Sequence, residues 1–321
     1  MASKIPTINL CKADLKPGSE EWVSTRNEVL QALQEYGCFE AVYDKVQMDI
    51  RDAMFNASKE IFEFPIETKL KNLSDKPLHG YKGLIPILPS FESLAITDLF
   101  QPECVENFAK IFWPDGNDDF CKLVRTYSEP VIELDVMLTR MILESLGIER
   151  YIDEFFNSNF YRLRLTRYKQ LEPKADQDGK NINHKLGLIG HTDGGWLTII
   201  SQNSVNGLQF QKKDGEWMDA NISPNSYAVL AGDAFMAWTN SQLHSPVHRV
   251  TMAGNGDRLS IQLFSVPKAD YIIEARKELV DEEHPVRYKP FGVEDYFAYI
   301  GTKEGVKAGP DAFKTYCGLT V

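Results

Sequence analysis

A mainly β core with helical flanks is the fold class this sequence predicts, and three observations predict it. From about residue 158 the chain breaks into short β-prone runs at 160–170, 195–202, 226–231, 235–240, 247–252 and 258–266, separated by clusters of Gly, Asn, Asp and Pro. Before that point apolar residues recur at three- and four-residue steps, the period of helices. Across 321 residues, 43% hydrophobic and 25% charged is ordinary globular usage, which excludes disordered, collagenous and disulfide-scaffold classes. Short strands at such spacing point to a sandwich or a barrel.

Taken in order, residues 19–36 place Trp22, Val29, Leu30 and Leu33 on one helical face, and a second helix-like stretch spans about 44–62. After Pro130, Val131, Leu134, Leu138, Met141, Ile142 and Leu146 predict a longer helix that Gly147 stops. In the β half, Lys213-Asp214-Gly215 lies between Leu208-Gln209-Phe210 and Trp217, and Gly254-Asn255-Gly256-Asp257 between Val250 and Leu259; both read as hairpins. The polar interval 171–187 reads as a surface loop, because strand-like sequence flanks it on both sides. The chain divides into a helix-rich region 1–157, a β core 158–275 and a helical segment 276–321, expected to pack as one compact unit.

Lys and Arg number 35 against 46 Asp and Glu, a formal charge of −11 that argues against a nucleic-acid partner. No run approaches the roughly 18 apolar residues of a membrane span, so no membrane partner is expected. The start, Met1-Ala2-Ser3-Lys4-Ile5-Pro6, lacks a signal peptide's apolar stretch, and Gly318-Leu319-Thr320-Val321 matches no anchoring or retention signal. A cytoplasmic monomer is the expectation. The cysteines Cys11, Cys38, Cys104, Cys121 and Cys317 are odd in number and scattered, as suits buried thiols in a reducing compartment.

Of six histidines, two have chemical company. In His191-Thr192-Asp193, strand alternation aims an imidazole and a carboxylate at one face, where both can hold one metal ion. His248, in the β-like run Pro246-Val247-His248-Arg249-Val250, is placed to supply a third ligand. Two His and one carboxylate leave open positions on Fe(II), the arrangement of non-haem iron oxygenases. A lone His-x-Asp is common by chance, but Arg258-Leu259-Ser260 follows His248 and sets a guanidinium and a hydroxyl on one face. That pair suits the distal carboxylate of a dicarboxylate; the competing reading of Arg258 is a solvated hairpin residue. His244 precedes Ser-Pro and reads as a turn or pocket-edge residue, while His79, His184 and His284 fall in loop-like sequence.

With those residues in view, the sequence resembles the plant 2-oxoglutarate- and Fe(II)-dependent dioxygenases. The matching stretches are Ile5-Pro6-Thr7-Ile8-Asn9-Leu10, Tyr36-Gly37-Cys38-Phe39, His191-Thr192-Asp193, Gly207-Leu208-Gln209, His248-Arg249-Val250, Arg258-Leu259-Ser260 and Tyr288-Lys289-Pro290-Phe291, covering nearly the whole chain. The resemblance implies a double-stranded β-helix, the cupin-like jelly-roll, with the C-terminal segment covering the active site. It implies that His191, Asp193 and His248 hold Fe(II), that Arg258 and Ser260 bind the 5-carboxylate of 2-oxoglutarate, and that Tyr168 also reaches this cosubstrate. Where the family carries Asn-x-Tyr, this chain reads Thr166-Arg167-Tyr168; threonine is shorter and offers fewer hydrogen-bonding groups.

The implied reaction couples O2 and 2-oxoglutarate, giving succinate and CO2, to oxidation of a C–H bond in a small molecule, with ascorbate as reductant in vitro. Hydroxylation, desaturation, dealkylation and ring closure all remain open. Asp193 fills the position that a halogenase leaves vacant for chloride. Segments His284–Phe291 and Leu243–Pro246 resemble the branch with glucosinolate side-chain-modifying enzymes, which suggests a plant specialised metabolite or a hormone such as an auxin. Alternation along Arg258, Ser260, Gln262 and Phe264 carries Phe264 into the pocket, and Trp196 follows the metal-binding turn. Phe235 and Trp238 are expected on a strand before His248 with opposite parity, so that one faces the cavity; Tyr81, between Gly80 and Gly83, is placed to close the mouth. Core packing is the competing reading for each of these aromatics. A non-catalytic jelly-roll receptor and a zinc hydrolase are the rival functions; neither needs the Arg-x-Ser pair beside a complete ligand set.

Overall fold

The computed structural model describes residues 4–74, 76–171, 186–252 and 256–319. The strands are β1 (Thr7–Asn9), β2 (Cys38–Val42), β3 (Phe91–Thr97), β4 (Asn159–Tyr168), β5 (Leu186–His191), β6 (Leu197–Gln202), β7 (Leu208–Gln211), β8 (Trp217–Asp219), β9 (Ser226–Ala231), β10 (His248–Thr251), β11 (Arg258–Pro267), β12 (Ile272–Ile273) and β13 (Phe291–Gly292). The helices are α1 (Glu20–Glu35), α2 (Met48–Glu63), α3 (Ile66–Lys69), α4 (Pro102–Phe112), α5 (Asp118–Ser145), α6 (Ile152–Asn157), α7 (Asp233–Trp238), α8 (Val293–Ile300), α9 (Lys303–Ala308) and α10 (Ala312–Cys317). A seven-stranded sheet runs β1-β2-β9-β6-β11-β4-β3, and a four-stranded sheet runs β5-β10-β7-β8. These two sheets form the double-stranded β-helix core, with a helical N-terminal region.

Alternation sorts the side chains of the larger sheet. On β4, β6 and β11 the odd-numbered Leu163, Leu165, Ile199, Leu259, Ile261 and Leu263 face outward into one apolar cluster with the helices. On that outer side the Tyr161 hydroxyl donates to Asp135 of α5 at 2.7 Å. Even-numbered residues face inward, where Tyr168, Ile200, Ala228 and Leu230 share a second cluster with Leu208, Phe210, Met218 and Val250 of the smaller sheet. The sheets therefore meet over a mixed interior whose polar positions are the even residues of β4, β6 and β11.

Several expectations are corrected. The run 235–240 is not a strand: Asp233–Trp238 is helix α7, entered from extended Gly232. The short apolar run 234–238 fits either period, and full burial of both Phe235 and Trp238 decides for the helix. The long helix begins at Asp118, not after Pro130, and passes through that proline. Phe120, Val124, Tyr127, Val131 and Leu134 are buried on both sides of it, and exposed Thr126 leaves the unclaimed carbonyl to water. Val250 and Leu259 do not flank a hairpin, since β10 pairs with β5 and β7 while β11 pairs with β4 and β6. The turn between them and the interval 171–187 lie largely outside the described residues, Leu186 and Gly187 belonging to β5. The Lys213–Gly215 turn does join paired strands, β7 and β8.

Strands β1, β2 and β3 come from the region read as helical, and they take the two flanks of the larger sheet. Cys38, Cys121 and Cys317 are buried, whereas Cys11 and Cys104 are half-buried, and all five are free thiols. None of the described helices is long and apolar enough to cross a membrane.

Candidate metal centre

His191 is the last residue of β5 and His248 the first of β10, directly opposite it in the ladder. Asp193 is not on the strand, as alternation implied, but in the turn beyond it. Its Oδ1 nevertheless lies 3.8 Å from Nε2 of both histidines. The three ligand atoms fall within 4.8 Å of one another, and among the described residues no other His, Cys, Asp or Glu group converges this way. Two atoms bound to one ion at about 2.1 Å stand at most about 4.2 Å apart, and both measured nitrogen–oxygen separations satisfy that bound.

The donors are also oriented for a metal. Nδ1 of His191 is 2.9 Å from the Ile189 carbonyl, and Nδ1 of His248 is 3.3 Å from that of Pro246. Each ring thus carries its proton on Nδ1 and turns a bare Nε2 inward. Burial, aided by neighbouring His191, pushes the His248 imidazole down to about 4, which keeps it in the neutral, ligating form. Thr198 donates to Asp193 Oδ2 at 2.6 Å, which leaves Oδ1 for the ion.

A second layer fixes the turn, and sequence reasoning missed it. The Asp193 carbonyl accepts the Asp233 amide at 2.7 Å. Asp233 Oδ2 in turn accepts the Thr192 hydroxyl at 2.8 Å and the Tyr296 hydroxyl at 2.7 Å. Gly232 is obligatory because an added Cβ would lie 2.3 Å from the Gly195 carbonyl and 2.8 Å from that of Asp193. Gly194 likewise faces the Phe297 ring of α8, where a Cβ would meet it at 2.4 Å. The Gly-Asp pair opening a short helix was the signal available in the sequence.

Arg258 lies at the other end of the interior, 1% exposed, without an ion pair among the described residues. Its guanidinium sits over the Tyr168 ring at 5.2 Å, donates to Gln202 Oε1 at 2.8 Å and reaches Ser260 Oγ at 3.5 Å. Arg258 and Ser260 thus share a face, as alternation predicts, and Tyr168 lies across from Arg258 on the neighbouring strand, as the resemblance implied. Thr166 donates to Gln262 Oε1 at 3.0 Å, and Gln262 donates to Ser260 at 2.8 Å. Gln262 therefore brings a carboxamide to the place where Thr166 lacks one. A buried, unpaired guanidinium beside hydroxyls is the donor set a carboxylate requires, so these residues fit 2-oxoglutarate as the triad fits iron.

The aromatic positions divide. Phe264 is partly exposed on the inward row of β11, beside Thr198 of β6 and Arg162 of β4. Trp196, Phe235 and Trp238 are fully buried in one cluster around Phe155, at centroid distances of 4.7, 5.2 and 5.8 Å, and Trp238 donates to the Tyr271 hydroxyl at 3.0 Å. They pack the core and do not line the interior row. Tyr81 is also buried, with its hydroxyl 3.4 Å from Glu92 on the outer face of β3, so it does not stand over the mouth. His244 is half-buried against α1, its amide donating to the Leu33 carbonyl at 3.0 Å; His284 bonds Asp281 at 2.9 Å on the surface; His184 lies outside the described residues.

With this geometry in hand, comparison with known proteins gives two family matches. The 2OG-Fe(II) oxygenase superfamily matches residues 159–267, and the non-haem dioxygenase in morphine synthesis N-terminal family matches residues 5–90. The chain is 43% identical over 303 residues to the probable 2-oxoglutarate-dependent dioxygenase AOP1 of Arabidopsis thaliana, covering 94% of this chain and 92% of that relative. Among solved structures it is similar to the dioxygenase for auxin oxidation 1 of Arabidopsis thaliana in its 2-oxoglutarate complex, with a TM-score of 0.76 and 28% identity, covering 88% of this chain and 99% of that one. It is similar as well to JOX2 in complex with 2OG, Fe and JA, with a TM-score of 0.77 and 25% identity, covering 99% and 90%.

Proposed function

Since this chain belongs to the 2OG-Fe(II) oxygenase superfamily and is a 2-oxoglutarate-dependent dioxygenase using Fe(II), we propose that it oxidises a C–H bond of a small plant metabolite or hormone. The observation that carries this reading is the convergence of His191, Asp193 and His248 at one end of an interior whose other end holds the unpaired Arg258. Relatives named for auxin oxidation, and one solved with JA, support a hormone-like or specialised metabolite as substrate.

Iron bound with 2-oxoglutarate supplies the oxidising chemistry, with succinate and CO2 as by-products. The protein's own part is placement. His191 and His248 turn their Nε2 atoms inward, and Asp193 presents Oδ1 because Thr198 occupies Oδ2. Arg258 and Ser260, with Tyr168 beside them, would hold the far carboxylate of the cosubstrate. The apolar cluster around Phe210, Ile200 and Val250 keeps bulk water from the interior between the two ends. Phe264, on the inward row, contacts the organic substrate.

The test is oxygen uptake and succinate release by purified protein supplied with Fe(II), 2-oxoglutarate, ascorbate and a panel of plant acids, phenolics and alkaloids. Stoichiometric succinate with a product altered at one carbon supports the reading. Tight 2-oxoglutarate binding with no oxidation of any compound would favour the receptor alternative.

A further inference from the structure

Resting on the oxygenase reading above, the structure assigns a second anion-binding subsite inside the same cavity: we infer that Arg162 and Arg164 of β4 receive a carboxylate of the organic substrate. Both residues share the inward face with Thr166 and Tyr168, and their partners across the ladder are Phe264 and Gln262 of β11. Arg162 is 3% exposed, while Arg164 keeps partial exposure although β4 is flanked by β3 and β11. A residue in the middle of a sheet stays accessible only if its face borders an open cavity.

Charge accounting is the main reason. Buried arginines elsewhere in this protein have carboxylates: Arg167, on the outer face of the same strand, pairs with Glu92 and Glu63, Arg276 with Glu154, and Arg51 with Asp52. Among the described residues of the cavity face, Arg258 and Arg162 are buried and Arg164 is half-buried, and none of the three has an ion pair. Arg258 is accounted for by the cosubstrate. Two more like charges, two residues apart on one face, repel each other and lose solvation, so an anion between them is the arrangement that compensates both.

The neighbours do not provide that anion. Arg164 donates to neutral acceptors only: Ser93 Oγ at 2.7 Å and the carbonyls of Leu78 at 2.5 Å and Gly80 at 3.4 Å. Arg162 donates to Nε2 of His79 at 2.6 Å, and its Nε has no partner. His79 is a neutral acceptor, because burial and the charges of Arg162, Lys76 and Arg164 push its imidazole down to about 3. Glu294 of α8 acts on Arg162 but is itself paired with Lys76 at 2.8 Å. Asp193 acts on Arg164 and is committed to the metal.

Placement relative to iron sets the substrate's size. Thr198, which holds Asp193, lies across from Phe264, which lies across from Arg162, so one cross-strand row links the metal turn to this subsite. Two strand spacings are about 10 Å, enough for a small molecule with its carboxylate on the arginines and its reacting carbon at the metal. The Phe160 ring, 5.6 Å under the Arg162 guanidinium, and Phe264 supply apolar walls. The substrate class is therefore a monocarboxylic acid with an aromatic or aliphatic body.

The experiment titrates the protein, loaded with Fe(II) and 2-oxoglutarate under nitrogen, with phenylacetate, indole-3-acetate and decanoate, each beside its methyl ester, using calorimetry. At least one acid should bind roughly 10- to 100-fold more tightly than its ester, and Arg164→Met and Arg162→Met should each remove that preference while Arg164→Lys keeps part of it. Equal affinity of acids and esters, no acid binding, or an undiminished preference in Arg164→Met would overturn the subsite. So would a weakened 2-oxoglutarate affinity in Arg164→Met with acid binding intact, since that would give this guanidinium to the cosubstrate. If the methionine variants do not fold, the acid-to-ester ratio of the wild type and of Arg164→Lys decides. Failure of the wild type to bind 2-oxoglutarate at all would instead strike the oxygenase reading.

Discussion

The Tyr296 hydroxyl donates to Asp233 Oδ2 at 2.7 Å, and through this bond helix α8 holds the turn that carries Asp193. Tyr296 touches no ligand atom, so its role is positioning. Tyr296→Phe should weaken Fe(II) affinity by about 10- to 100-fold, the usual cost of losing an outer partner of a metal site. Iron titration monitored by 2-oxoglutarate-dependent absorbance reads this directly, and saturating iron should restore much of the rate. Unchanged iron affinity would make the bond merely structural.

Alanine at His191, Asp193 or His248 should abolish substrate-dependent succinate release and the binding of iron measured by equilibrium dialysis. Retention of stoichiometric metal by any of the three variants would remove that residue from the ligand set.

Arg258→Ala should raise the 2-oxoglutarate KM by roughly 100-fold, because a charge-assisted contact of about 3 kcal/mol is lost. A fall in kcat alone, with KM unmoved, would place the cosubstrate carboxylate elsewhere. Gln262→Ala should raise the same KM by a smaller factor, since Gln262 orients Ser260 at 2.8 Å.

Trp238→Ala should act on stability. Its ring is fully buried against Phe155 and Trp196, so its removal should cost about 3–5 kcal/mol in urea unfolding. A large change in substrate preference with stability intact would return Trp238 to the pocket.

Burial holds the Asp135 carboxyl up at about 7, while Tyr161 donates to it. An unfolded aspartate titrates near about 3.9. Between these values the folded chain keeps a proton that the unfolded chain has released. This contribution to stability is complete below the lower value and disappears as pH rises through the upper one. Asp135→Asn keeps an acceptor for Tyr161 and should flatten the decline in urea midpoint between pH ~4 and ~7. An identical slope in both proteins would exclude Asp135 as its source.

The grouping of His191 with Asp193 and of Arg258 with Ser260 is legible because each pair sits in a short motif whose register is anchored by its own neighbours. The strand period carried the reading from Arg258 to Phe264, and it applies equally from Tyr168 back to Arg162. Arg162 and Arg164 escaped notice because a basic residue on an isolated strand looks solvated, and only the outward pairing of Arg167 with Glu92 shows that its neighbours must point in. The sequence of α7 reads as a strand because an apolar run this short cannot display a period. Pro130 was read as a helix start because its local cost is visible in sequence, whereas the apolar face spanning it is a tertiary fact. For Asp233 the Gly-Asp pair marks only a helix start, and its role needs the fold, because its partners Thr192 and Tyr296 are remote in the chain.

The flanks of the larger sheet have a consequence for biosynthesis. β2, beyond its pairing with β1, must wait for β9, and β3 must wait for β4, because these ladder partners lie far downstream. As the polypeptide leaves the ribosome, its earliest strands are edges without a middle, exposed until the second half emerges. Such long-range pairing makes the closing step slow, and during that interval a chaperone, or another nascent copy, has access to bare backbone that the finished enzyme never shows.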